Sequence, residues 1–128
     1  MTAGEIISAA NAVSAAWGCA APDDEEREIG LLNLAVAELW GLSEVIREAK
    51  GLESVEYGDN VRVTSPEDEM TTEDEICPAL AYYLASALVT PDAPIMGSLL
   101  RQRGVEAAEE ARRAVRPAVK GMREAYLP

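Results

Sequence analysis

The sequence contains no histidine and no phenylalanine, and it has only two cysteines. Bases are scarce as well: 11 Lys and Arg stand against 23 Asp and Glu, for a net charge of −12. Each shortage excludes something. Without histidine there is no Ser-His-Asp or Cys-His machinery, no imidazole general base and no His-ligated zinc. A di-iron bundle built on Glu-x-x-His is excluded on the same ground. The acid excess argues against a sequence-independent nucleic-acid binder, whose affinity comes from neutralised phosphates. It argues equally against an anionic membrane surface. Cys19 and Cys77 fit no CxxC or zinc spacing, so they read as small buried hydrophobes in a reducing compartment. The N-terminus is apolar, but it carries Glu5 and no early Lys or Arg, which disfavours a signal peptide. No apolar run reaches the roughly 18 residues of a membrane span.

What is present reads as helix. The 128 residues suit one domain with one modest core. Thr2 and Glu5 have capping-box spacing, and Ile6, Ala10, Val13 and Trp17 recur on one helical face. Gly18 is a stop signal. After a loop, Asp24 caps a second helix whose first turn holds Glu25, Glu26 and Glu28, where the helix dipole favours acids. Its stripe is Ile29, Leu32, Val36, Leu39 and Trp40. Either Gly41 ends this helix or it runs on toward Lys50, with Gly51 as the stop. The period then changes. Residues 52–57 and 61–63 alternate around Gly58-Asp59-Asn60, which predicts a small β-hairpin or extended loop. Residues 65–75 hold six acids and no base. They read as a solvated loop leading to a cap at Thr71 or Thr72.

The third helix carries Ile76, Leu80, Leu84 and Leu88 and is apolar almost all round. It should be central to the core. Pro78 is tolerated only in its first turn. The fourth helix starts near residue 93 and reaches about residue 125. Its packed stripe is Met96, Leu100, Ala107, Ala111, Val115, Ala118 and Met122. Gly104 weakens it and Pro117 should kink it. The expected architecture is all-α: a four-helix, bundle-like single domain over 1–128, with the hairpin or loop between helices 2 and 3. Trp17 and Trp40 read as core anchors. Of Tyr82 and Tyr83, at most one can point fully inward.

The charge is unevenly spread. Residues 1–90 carry a net of −14, and residues 91–128 a net of +2. On an unbroken helix Arg101, Arg112, Arg116, Lys120 and Arg123 fall within about a 100° arc. One reading is a solvated face with pairs such as Glu109–Arg113. The other is a stripe that docks on an acidic surface of another copy or another protein. Nucleic acid is a poor target for it, because the acidic remainder repels phosphates. Tyr126 and Leu127 have little local sequence to bury them, so they either fray or dock on a partner. The docking candidates are therefore Arg101, Arg112, Arg113, Arg116, Lys120, Arg123 and Tyr126, with 112–128 as an extending segment. No calcium-loop pattern is present and nothing selects a carboxylate pair among the acids, so no catalytic, metal or cofactor site is expected.

The helix order resembles a known family. TAGEIISAANAV resembles the first helix of tailed-phage head–tail connector proteins, and EEREIGLLNLAVAELW resembles their second. CPALAYYLASALV resembles their alanine-rich central helix, and residues 93–116 resemble the closing one. The podovirus-type adaptor, a head-completion or packaged-DNA-stabilisation protein, is the group most similar. The resemblance implies a virion structural protein at the head–tail junction, made in the bacterial cytoplasm, and not an enzyme. It implies a ring, usually of twelve copies, that sits under the portal protein, extends the DNA channel and receives tail components. DNA passes through such a ring without specific binding, and no membrane is involved. The C-terminal segment that grips the portal in the family corresponds to residues 112–128 here. Rival readings are a small acidic interaction protein or a DNA-mimic inhibitor, which needs carboxylates spaced over a rigid face.

Overall fold

A computed structural model describes residues 1–19, 24–53 and 62–126, with side chains to residue 115. The described residues form an all-α fold of five helices: α1 (Ala3–Ala16), α2 (Glu25–Glu38), α3 (Trp40–Lys50), α4 (Cys77–Val89) and α5 (Pro94–Tyr126). A 3-10 turn, Asp74–Ile76, leads into α4. Most of the expected hairpin, residues 54–61, lies outside the described residues. No single helix among the described residues is long and apolar enough to cross a membrane.

The caps follow the sequence. Thr2 Oγ1 accepts the Glu5 amide at 3.2 Å and donates to the Glu5 carboxylate at 3.3 Å. Asp24 accepts the Arg27 amide at 3.2 Å. Gly51, at φ 71°, closes α3 in the left-handed region that glycine enters without strain. The cap expected at Thr71 or Thr72 does not form. Thr72 is buried instead, and the 3-10 turn starts from Glu73 with no side-chain cap.

The second expected helix neither stops at Gly41 nor runs straight to Lys50. It breaks at Leu39 (φ −96°, ψ 6°), and α2 and α3 meet at 58°. No proline causes this. The buried stripe continues across the break through Val36, Leu39, Trp40, Ser43 and Ile46. The bend changes what the stripe covers: α2 lies on α4, whereas α3 turns onto α5.

Helix α4 is the centre. Nine of its 13 residues are buried, including Leu80, Leu84 and Leu88. Helices α1, α2 and α5 all pack on it. Each such aliphatic burial contributes about 1.5–3 kcal/mol. Trp40 is buried and Trp17 packs against the core, as anchors should. Tyr82 and Tyr83 are both half-buried. Cys77 is buried and Cys19 half-buried, and both are free thiols; burial pushes the Cys77 thiol up from its ordinary value.

Helix α5 returns antiparallel along α4. Ser86 Oγ donates to the Gly97 carbonyl at 2.6 Å. A Cβ on Gly97 would lie 2.9 Å from the Thr90 Cα, and one on Gly104 would lie 2.3 Å from the Tyr83 ring. So Gly104 is not merely a weak point in the helix. It is where α5 comes close enough to accept an aromatic ring. Helix α5 runs on through Pro117 to Tyr126.

Candidate functional site

The candidate site starts from α5. Its 33 residues span about 50 Å, far longer than any other helix among the described residues. Gly97, Leu100, Gly104 and Ala111 face inward and are buried; Met96, Ala107, Ala108 and Val115 are partly buried around them. These residues match the stripe expected from sequence as far as Val115. The basic residues lie on other faces of the same helix.

Arg101 sits where α5 passes α2. Its guanidinium donates to Glu38 Oε2 at 2.6 Å and lies 4.7 Å from the centre of the Tyr83 ring. The Glu38 carboxylate raises the Arg101 pKa above the usual arginine range. Half of its side chain remains exposed. Arg101 therefore has a partner within its own chain, and it ties α5 to α2.

Further along, Arg103 lies 3.7 Å from Glu106 and Arg112 lies 3.6 Å from Glu109, each one helical turn away. The expected Glu109–Arg113 pair is not formed. Arg113 is exposed and makes no ion pair among the described residues. Arg116, Lys120, Arg123 and Tyr126 fall on the backbone of α5, and their side chains lie outside the described residues. The structure thus places all seven candidates on one helix and divides them. Arg101 is engaged, Arg112 is loosely paired, and Arg113 is free.

The acidic half is more organised than a solvated loop. Asp68 accepts the amides of Thr64 and Ser65 at 2.9 and 3.1 Å. These donors, with the Thr64 hydroxyl, hold its carboxyl below the ordinary carboxylate range. Glu69 pairs with the Met1 amine at 3.2 Å and raises the amine's pKa. Glu75 pairs with Lys50, which lowers the Glu75 carboxyl. Glu73 is buried, 2.5 Å from Arg47, and accepts from Ser43 Oγ at 2.7 Å. Arg47 also donates to the Thr71 carbonyl at 2.5 Å. The loop is therefore fastened to α1 at one end and to α3 at the other. The Ala3 and Gly4 amides donate to the Asp68 and Pro66 carbonyls, and Thr2 and Glu69 form an isolated β-bridge.

Two further polar residues were not singled out by sequence. Asn33 takes the backbone of Val63 from both sides: its Nδ2 donates to the carbonyl at 2.9 Å and its Oδ1 accepts the amide at 2.8 Å. Asn11 donates to the buried Glu28 carboxylate at 2.9 Å. Their partners lie too far along the chain for local spacing to reveal them. Among the described residues no group of three or more His, Cys, Asp or Glu could hold a metal ion.

An apolar groove opens between α1 and the start of α4. It encloses about 490 Å³ and is lined by Ile6, Ala9, Pro78 and Ala81, with Glu5 and Asp74 at its rim. Comparisons with protein-family models, with curated proteins and with solved structures find no match for this chain.

Proposed function

We propose that the chain is a head–tail connector of a tailed phage. It assembles as a ring under the portal protein, extends the DNA channel and carries the tail. The observation that supports this best is the shape of α5. The helix packs on an acidic body through Leu100, Ala111 and Val115, and it continues to Tyr126 with Arg116, Lys120 and Arg123 on it. A helix this long, carrying a run of bases, suits a protein with a partner of its own to meet. In this reading α2 and α3 act as one bent helix, so the body is a four-helix, bundle-like adaptor, and residues 52–63 form its hairpin. Acidic walls also leave packaged DNA free to slide, because they offer its phosphates no attraction.

The DNA-mimic reading draws less support. Glu69, Glu73 and Glu75 are taken up by the Met1 amine, Arg47 and Lys50. A mimic needs such groups displayed on a rigid face. Mixing the protein with the portal of the same phage and imaging the product tests the connector reading. Added ring density below the portal is expected. A bare portal at saturating protein would overturn the proposal.

A further inference from the structure

The α1–α4 groove has an apolar interior and a negative rim. Ile6, Cys77 and Ala81 are buried along it, and Ala9 and Pro78 complete its apolar lining. The Cys77 thiol adds no charge. It donates to the Glu73 carbonyl at 3.7 Å, and burial keeps it protonated. Glu5 and Asp74 stand exposed at the rim. The Glu5 carboxylate accepts from the Thr2 hydroxyl at 3.3 Å. The Asp74 side chain makes no hydrogen bond or ion pair among the described residues.

The positive charges near this end of the molecule are taken. The Met1 amine faces Glu69, Asp74 and Glu5 together and pairs with Glu69 at 3.2 Å, so three carboxylates meet one cation. Arg47 and Lys50, which reach the same segment from α3, pair with Glu73 and Glu75. Charge and size together then narrow the ligand. The groove's 490 Å³ or so falls among small-molecule sites, roughly 300–1,000 Å³. An anion would be repelled by the rim. A neutral apolar molecule would strip water from the rim carboxylates and offer them no donor in exchange. An ammonium group offers both a donor and the opposite charge.

We infer that the groove binds a small organic cation, with its hydrocarbon part along Ile6, Ala9, Pro78 and Ala81 and its ammonium group against Glu5 and Asp74. The site lies within one copy and needs no ring, portal or DNA. Its test is therefore separate from that of the connector reading.

Octylammonium chloride, titrated into the isotope-labelled full chain and followed by amide NMR, is the probe. Saturable shifts should centre on Ile6, Ala9, Cys77 and Ala81, with a Kd of about 1 mM or tighter. Octanoate and octanol, of the same chain length, should each bind at least about tenfold more weakly. Ala9→Phe fills the groove, and Glu5→Gln with Asp74→Asn discharges the rim. Each should weaken octylammonium binding at least about tenfold, with helical circular dichroism unchanged. Glu25→Gln with Glu26→Gln changes the net charge by the same amount at the exposed start of α2, and should leave the affinity as it is. Octanol or octanoate bound as tightly as octylammonium would mean that the rim selects no cation. Shifts spread over the exposed acids would mean attraction to net charge alone. Either result, groove variants that bind like the wild type, or no saturable binding below about 10 mM would overturn the inference.

Discussion

Arg47 and Glu73 show how much one buried pair can hold. Glu73 is 5% exposed at its side chain and Arg47 17%. Between them they join α3 to the strand of chain that enters α4. Arg47→Met would leave Glu73 charged and buried, at a cost of about 3–5 kcal/mol. Adding Glu73→Gln removes that charge and keeps an acceptor for Ser43, so the double variant should recover part of the loss. Urea denaturation measures both; a double variant no more stable than Arg47→Met would contradict the account. Asp68 gives a pH signature. Its folded pKa is depressed, so its contribution is complete above the unfolded value of about 3.9 and is lost as pH falls through the folded one. Asp68→Asn should therefore flatten the fall in melting temperature between about pH 4 and about pH 2. An unchanged slope would mean that other carboxylates carry the acid limb.

The helices themselves were the legible part. Capping boxes, dipole-placed acids and apolar stripes located α1, α2, α4 and most of α5, because those signals are local. The 58° bend at Leu39 was not legible. It has no proline behind it and is set by what α2 and α3 each cover. The pairing of Glu69, Glu73 and Glu75 is not legible for the same reason, although Glu67, Glu69 and Asp74 are exposed as expected. A run of carboxylates looks solvated until Arg47, Lys50 and the Met1 amine arrive from distant parts of the chain. Of the candidate site, sequence located the basic helix but not the division within it, because Glu38 and Tyr83 reach Arg101 only through the fold. Glycines sharpen the point. Gly30 and Gly97 are both inside helices, and propensity alone would favour alanine at either by up to about 1 kcal/mol. Gly30 faces open space, whereas a Cβ at Gly97 meets the Thr90 backbone. Gly30→Ala should stabilise by about 0.5–1 kcal/mol, and Gly97→Ala should destabilise by about 1–3 kcal/mol. Equal melting temperatures for the two variants would refute the close approach of α4 and α5.

For the whole molecule the charge division matters more than its total. The first 90 residues carry −14 and the rest +2. Several acids are paired, yet much of the body stays negative, and a compact negative body repels itself. Moderate salt should raise the unfolding free energy by about 1 kcal/mol between roughly 10 mM and 150 mM, where the screening length shortens from about 30 to about 8 Å. A melting temperature that falls over this range would show that the ion pairs outweigh the repulsion.

The fastening of residues 1–4 by residues 66–70 also has a kinetic meaning. The α4–α5 hairpin is closed by a turn of four residues, so its contacts form at little cost in loop entropy. The Ala3 and Gly4 amides meet their carbonyl partners only after more than sixty residues of chain have been gathered. Contacts of such long range come late in folding. Gly97→Ala should then act mainly on the folding rate, and Gly4→Ala, whose Cβ would lie 3.1 Å from the Pro66 carbonyl oxygen, mainly on the unfolding rate. Stopped-flow chevrons separate the two arms. The hairpin would be the nucleus, and the N-terminal helix the last piece to lock and the first to come loose.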